Sequence, residues 1–148
     1  MPDEAHEHIH VGAPLDRCVG IATDFERYPT WAKDVKAARV LDRDDVGRGR
    51  RVEYRIAALG MSVRNVLDYA YDDAGRGFSW HLVEGDMLRA LDGRYTFEPD
   101  GGGTRVTYDL AVDLAVPLPG LLKRRAAGRI VGAALKDLKH AAESAVTG

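Results

Sequence analysis

The chain has 148 residues, 45% of them apolar and 30% charged, with a net charge of −2. That is enough for one domain with a proper core and too little for two ordinary ones, and the composition excludes a disordered or fibrous chain. No apolar run approaches the ~20 residues of a membrane-spanning helix, and a single cysteine, Cys18, excludes an internal disulfide.

The chain opens on Met1-Pro2-Asp3-Glu4-Ala5-His6, acidic and polar and unlike a secretory signal. The expectation is a soluble, cytoplasmic protein with one domain over residues 1–148. His6-Glu7-His8-Ile9-His10-Val11 then alternates strictly, which predicts a strand with Ile9 and Val11 inward. His6, His8 and His10 share its outer face. No acid or cysteine partner for them can be identified from sequence, so a solvated face is expected and no metal.

Ala13-Pro14 predicts a helix start, since proline is tolerated in a first turn. Leu15, Cys18, Val19, Ala22 and Phe25 form its apolar stripe, which makes Cys18 a buried thiol and not a nucleophile. Asp24 is placed to cap a second short helix carrying Tyr28 and Trp31, with Pro29 early in it. The pair is too short to bury itself and must lie on something larger.

From Ala37 onward strands follow one another through short turns. The glycines of Asp42-Arg43-Asp44-Asp45-Val46-Gly47-Arg48-Gly49 lack the Lys-Ser/Thr ending of a phosphate loop and no helix follows them, so a hairpin is expected. Val52, Tyr54, Ile56 and Ala58 alternate with charged residues. So do Val63, Asn65, Leu67, Tyr69 and Tyr71, with Val66 on the polar phase. Phe78, Trp80 and Leu82 come next, then Leu91, Gly93, Tyr95 and Phe97, and last Val106, Tyr108, Leu110 and Val112. Short turns make the sheet antiparallel, and clean alternation leaves one face wet and one dry. With the first strand there are seven.

The tail, Pro117 to Val146, opens on the stiff turn Pro117-Leu118-Pro119-Gly120. It runs without another proline through Leu121, Leu122, Ala127, Val131, Ala134, Leu135, Leu138, Ala142 and Ala145. Three- and four-residue spacing predicts one long amphipathic helix. It is the one element long enough to cover the dry face of the sheet, so the fold class is α+β. Ala126, Ala127, Gly128, Gly132, Ala133 and Ala134 make it small-sided. Opposite them stand several tyrosines whose hydroxyls need partners, a combination that favours a cavity over a filled core.

The order strand, two short helices, six strands and long helix is the helix-grip arrangement. Asp24-Phe25-Glu26-Arg27-Tyr28-Pro29-Thr30-Trp31 resembles the D-x-x-x-Y-P-x-W segment of the START-like (SRPBCC) superfamily, which includes Bet v 1 proteins, START lipid-transfer domains and polyketide cyclases. Leu91 to Pro99 and Gly103 to Tyr108 are similar to its L-x-G-x-[YW]-x-F-x-P and G-T-x-V-x-Y strands. Pro117 to Gly120 resembles the start of its last helix. The likeness spans nearly the whole chain and is closest to the polyketide cyclase/dehydrase-like branch. It implies a curved seven-stranded sheet gripping the C-terminal helix. It also implies a pocket between them for a lipid, polyketide, quinone or similar molecule, with no cofactor. Carried onto this chain, the pocket is lined by Trp31, Tyr54, Val63, Asn65, Leu67, Tyr69, Trp80, Leu82, Tyr95, Tyr108, Val131 and Leu135.

These motifs belong to the scaffold and leave the reaction open. A cyclase or dehydratase needs a proton-handling group inside the dry face, and superfamily aromatase/cyclases are thought to use an inward arginine. Here Arg51, Arg55, Arg64, Arg89, Arg94 and Arg105 all fall on the polar phase, as does His81. Asn65 and the tyrosine hydroxyls are the inward polar set, and Asn65 with Tyr69 could orient a carbonyl. The leading expectation is therefore a non-catalytic binder or carrier of a hydrophobic small molecule, with a polyketide cyclase, aromatase or dehydratase as the alternative.

A third reading comes from charge. Residues 119–148 carry 6 basic and 2 acidic groups. Lys123, Arg124, Arg125 and Arg129 crowd the start of the tail helix. They make a solvated face, or a contact for an anionic membrane surface or a protein partner. Nucleic acid is excluded as a partner, because the rest of the surface is acidic and repels phosphates.

Overall fold

The computed structural model describes residues 3–58 and 60–147, and within these the side chains of Ala58, Ala145, Val146 and Thr147 fall outside the description. The expected positions of Ala58 and Ala145 in their apolar rows, and the terminal residues Met1 and Pro2, therefore lie outside the described set. β1 (Asp3–Val11) leads to α1 (Leu15–Thr23) and a 3-10 helix (Phe25–Thr30). Six strands follow: β2 (Val35–Arg43), β3 (Gly49–Ala58), β4 (Met61–Tyr71), β5 (Gly77–Gly85), β6 (Leu88–Asp100) and β7 (Gly103–Leu114). The closing helix is α2 (Gly120–Thr147).

All seven strands form one antiparallel sheet in the order β1-β7-β6-β5-β4-β3-β2. One crossover brings β1 beside the last strand. The α1–3-10 segment makes that crossover, which is why it must lie across an end of the sheet. α2 lays its backbone mainly against β1, β7 and α1, and the 3-10 helix lies on β2. This is the helix-grip fold expected from the pattern, and none of the described helices is long and apolar enough to cross a membrane.

Alternation holds along most strands. Val106, Tyr108, Leu110, Val112 and Leu114 are buried on β7, and every residue between them is only partly so. β4 breaks the rule. Val66 lies on the polar phase yet is 3% exposed. Its register partners are Glu53 on β3 and Glu84 on β5. Arg64 binds both carboxylates, Nε to Glu53 and Nη1 to Glu84, each at 2.6 Å. The arginine stem and its two acids roof Val66 over, a case of a long charged side chain covering apolar surface. A register shift between Val66 and Leu67 falls at the same place.

Three local expectations need correction. The second short helix is 3-10, ends at Thr30 before Trp31, and holds Pro29 near its end. Asp24 precedes that helix but its carboxylate caps nothing, because it is turned to Arg27 at 3.9 Å. Leu121 and Leu122 do not join the buried stripe of α2. They are 54% and 43% exposed, because the first turn of the helix projects past the sheet. Burial begins at Ala127 and continues through Val131, Leu135, Leu138 and Ala142.

Candidate functional site

The dry face of the sheet has two ends of different character. At one end Val11, Cys18, Ala22, Val106, Phe97, Leu138 and Ala142 are all 0% exposed. Polar groups there are bonded internally: Thr104 Oγ1 donates to Ala13 O at 2.8 Å, and the Tyr28 hydroxyl donates to Ala22 O. Straps tie α2 across this end. Glu143 accepts from Gly12 N–H at 2.7 Å and from Lys139 Nζ at 2.6 Å. Lys139 Nζ donates also to His10 O at 2.8 Å, and Asp137 accepts from Lys33 N–H at 3.0 Å. Burial pushes the Cys18 thiol up, which fits the inert role expected of it.

Toward the middle of the sheet burial is slightly less complete. Tyr54, Asn65, Leu67, Tyr69, Trp80, Tyr95 and Tyr108 keep between 3% and 9% exposure. Their rings touch in a chain. Trp31 meets Tyr28 at 4.9 Å and Tyr28 meets Tyr54 at 5.9 Å between centroids. Tyr69 meets Trp80 at 5.8 Å, Trp80 meets Tyr95 at 5.3 Å and Tyr108 at 5.4 Å. Trp80 can lie flat because Gly93 is its cross-strand partner. A Cβ at Gly93 would fall 2.2 Å from the indole.

The structure thus brings Trp31, Tyr54, Tyr69, Trp80, Tyr95 and Tyr108 into one connected aromatic wall. Leu67, Val131 and Leu135 share the same continuous core, with Trp31 and Leu82 packed half-buried against it. Val63 is buried but lies outside that cluster. Asn65, on the same face of β4, is 6% exposed. Tyr28, whose hydroxyl is bonded at the sealed end, is not among the twelve expected lining residues, yet its ring links Trp31 to Tyr54. On the helix side, a Cβ added at Gly128 would meet nothing within 4 Å. Close helix–sheet contact is therefore not what requires a small residue there.

The polar atoms of this wall are largely without partners. Tyr54 and Tyr69 share one hydrogen bond at 2.6 Å, so one hydroxyl proton of the pair remains free to donate. Tyr71 turns away to donate to Gly49 O at 2.5 Å. The hydroxyls of Tyr95 and Tyr108, Trp80 Nε1 and Asn65 Nδ2 bond to no described residue, and among the described residues Asn65 Oδ1 is the one buried side-chain N or O that is both sealed and unpartnered. The other four atoms therefore keep some accessible surface. Burial pushes Tyr28, Tyr54, Tyr69 and Tyr95 well above the ordinary phenol value and raises Tyr108 too. Burial also lifts Tyr71, to about 12. All six tyrosines are neutral hydrogen-bonding groups at physiological pH, not bases.

Charge stays on the other face. Arg51 is held by Asp68, Arg64 by Glu53 and Glu84, Arg94 by Asp72, Arg105 by Glu98 and Arg89 by Asp113. Arg55 and His81 are exposed. The histidines of β1 are exposed as expected, but two have acid partners that sequence could not supply: His6 bonds Asp109 and His10 bonds Asp100. No cluster of metal ligands forms among the described residues.

Two clefts open elsewhere and contain none of the twelve expected pocket residues. One, of about 470 Å³, spreads over the solvent face of β1, β7 and β6 around His6, Asp92, Arg94 and Asp109. The other, of about 140 Å³, lies between α1 and the β4–β5 turn near Thr23, Arg48 and Tyr71. The larger is shallow; of the charged groups on its rim, His6 pairs with Asp109 within the cleft and Arg94 with Asp72 outside it. It is an open cleft on the wet face of the sheet and encloses little apolar surface.

A family model described as polyketide cyclase/dehydrase and lipid transport matches residues 3–143. The chain belongs to that family. Its members bind hydrophobic small molecules. A START superfamily protein from Mycobacterium smegmatis superposes with a TM-score of 0.90 at 25% identity, over 95% of this chain and 97% of that one. The protein TTHA0849 from Thermus thermophilus does so with a TM-score of 0.82 at 27% identity, over 96% and 98%. The ZhuI aromatase/cyclase from Streptomyces sp. R1128 shares the fold at 15% identity, with a TM-score of 0.79 over 99% and 96% of the two chains. No protein of curated function matches the chain.

Proposed function

We propose that this family member binds or carries a hydrophobic small molecule between the aromatic wall and α2. The observation that supports this reading is the set of unpartnered polar atoms on Tyr95, Tyr108, Trp80 and Asn65, set in an otherwise apolar face and keeping some accessible surface. A filled core satisfies or excludes such groups, whereas a ligand site leaves a few of them waiting among aromatic side chains. The cyclase or dehydratase reading stands second. It needs a proton-handling group on this face, and the arginines that could serve are turned outward into ion pairs.

Substituting Ala134→Leu, on the half-buried edge of the helix stripe, tests the site directly. It abolishes uptake of an environment-sensitive hydrophobic dye while the circular dichroism spectrum stays close to wild type. Unchanged dye uptake in a folded variant places the site elsewhere.

The first turns of α2 favour a compatible second role, contact with an anionic membrane surface where a lipophilic cargo is exchanged. Leu121 and Leu122 are exposed there beside Arg124, Arg125 and Arg129, which are also exposed. Lys123 is tethered to Leu114 O at 3.2 Å. Apolar and cationic groups side by side match a lipid interface. Sedimentation with phosphatidylglycerol vesicles, reversed by salt and absent with phosphatidylcholine, is the expected result; equal sedimentation with both lipids counts against the charge contact.

A further inference from the structure

Antiparallel pairing brings three chain turns to one end of the sheet. β3 passes into β4 at the pair Ala58 and Met61, and β6 starts opposite the last residue of β7, at the pair Leu88 and Leu114. Backbone bonds tie these turns together. Asp86 N–H donates to Arg64 O at 2.9 Å, and Ala115 N–H donates to Met87 O at 2.8 Å. The start of α2 joins them where Lys123 Nζ donates to Leu114 O. Met61 is 54% exposed at this end, as are Leu121 and Leu122 in large part, while Met87, Leu88 and Val116 are half-buried. Of the other exposed large apolar side chains among the described residues, only Val46 sits on a turn, and that turn is at the opposite end.

Met87 is the one non-glycine residue with a left-handed backbone among the described residues, at φ 65°. A side chain is strained there and glycine is not, so closing the turn gives no reason for a methionine. Charge runs along the same axis. The turns at the opposite end, residues 44–48, 72–76 and 101–102, hold four aspartates against two arginines. The near-end turns, residues 59–60, 86–87 and 115–119, hold one charged group, Asp86, whose carboxylate already accepts from Arg64 N–H at 3.0 Å. The start of α2 then adds Lys123, Arg124 and Arg125. One end of the molecule is acidic and polar; the other is cationic and apolar. An anionic surface repels the first and attracts the second.

We propose that the protein docks end-on against an anionic bilayer, with the β3–β4 and β5–β6 turns entering the interface beside the start of α2. Met61 and Met87 join Leu121 and Leu122 at the acyl boundary, and Arg124 and Arg125 lie at the headgroups. The assignment rests on the membrane contact described above for α2 and adds the orientation of the whole molecule and two turns far from α2 in sequence. A bilayer suits this surface because its apolar side chains stand on separate chain turns. Unbranched methionines adapt to a fluid partner, and arginine stems can lie along acyl chains while their heads stay at the phosphates.

The test is sedimentation of the full-length protein with vesicles of mixed phosphatidylglycerol and phosphatidylcholine, over a range of lipid concentrations. Met61→Asp binds about tenfold more weakly than wild type, the scale of losing the burial of one methionine. Met87→Gly binds about threefold more weakly, while its melting temperature holds or rises because glycine relieves the left-handed backbone. A loss of binding without a loss of stability separates docking from folding. Val46→Asp, at the opposite end and 72% exposed in the wild type, leaves binding unchanged. Wild-type affinity in both methionine variants overturns the end-on orientation and leaves a contact through α2 alone, and so does a loss in Val46→Asp equal to that in Met61→Asp. Failure of wild type to sediment with these vesicles removes the membrane contact itself and this assignment with it; a dimer that Met61→Asp dissolves then gives the surface to a second copy of the chain.

Discussion

The two ends of the inner face are built from the same kinds of residue and do opposite things. Under α1, Val11, Phe97, Val106, Leu138 and Ala142 are closed to solvent, and the hydroxyls present there, on Tyr28 and Thr104, are spent on backbone carbonyls. Along the middle of β3 to β7, tyrosines and a tryptophan of the same apolar phase retain exposure and hold polar atoms without partners. The difference comes from the path of α2. The helix is strapped to β1, to the β1–α1 turn and to the segment after the 3-10 helix, and it buries Ala127, Val131, Leu135, Leu138 and Ala142. One end of the face is sealed and internally bonded; the other keeps exposure and unpartnered polar atoms, and under the proposed function it is the end that takes the ligand.

Truncations should separate the two ends. Leu138→Ala, at a fully buried position, is expected to cost about 2–5 kcal/mol, as large-to-small changes in sealed cores do. Leu82→Ala, half-buried against the wall, is expected to cost about 1 kcal/mol or less. Urea unfolding of both variants measures the gap. Similar losses at the two positions would mean that the wall is packed as tightly as the sealed end, and the contrast would collapse.

A smaller effect probes the same contrast at the level of single hydroxyls. Tyr28→Phe removes a donor from Ala22 O and leaves that carbonyl short of a partner, so a loss of about 1 kcal/mol is expected. Tyr95→Phe removes a hydroxyl that bonds to no described residue, and its stability is expected to stay within about 0.5 kcal/mol of wild type. Thermal melts of the two variants decide it. A Tyr95→Phe loss equal to that of Tyr28→Phe would show that the Tyr95 hydroxyl has a structural partner.

Much of this was legible in the residues. Period-two alternation of β5, β6 and β7 marked the inward residues one by one, because a strand with one wet face cannot slip register without exposing its core. Spacing gave α2 its length and most of its buried stripe. The errors have physical causes. Leu121 and Leu122 fit the helical period, but period does not reveal where the sheet beneath the helix ends. Val66 sat on the polar phase, and its burial depends on Arg64 bridging acids from two other strands. The β1 histidines showed no acid partner in sequence because Asp100 and Asp109 lie about a hundred residues away and meet them only once β1 pairs with β7 and β7 with β6.

Residue order alone specifies an α+β chain with seven antiparallel strands, one long covering helix and an inner face rich in tyrosine, since these follow from local periodicity and turn chemistry. It took the packed molecule to decide which inner residues are sealed and which keep exposure with polar atoms unpartnered. Those outcomes depend on where α2 is tied down and on which residues neighbouring strands bring opposite each other. They are distances between residues far apart in the chain, and no local pattern encodes them.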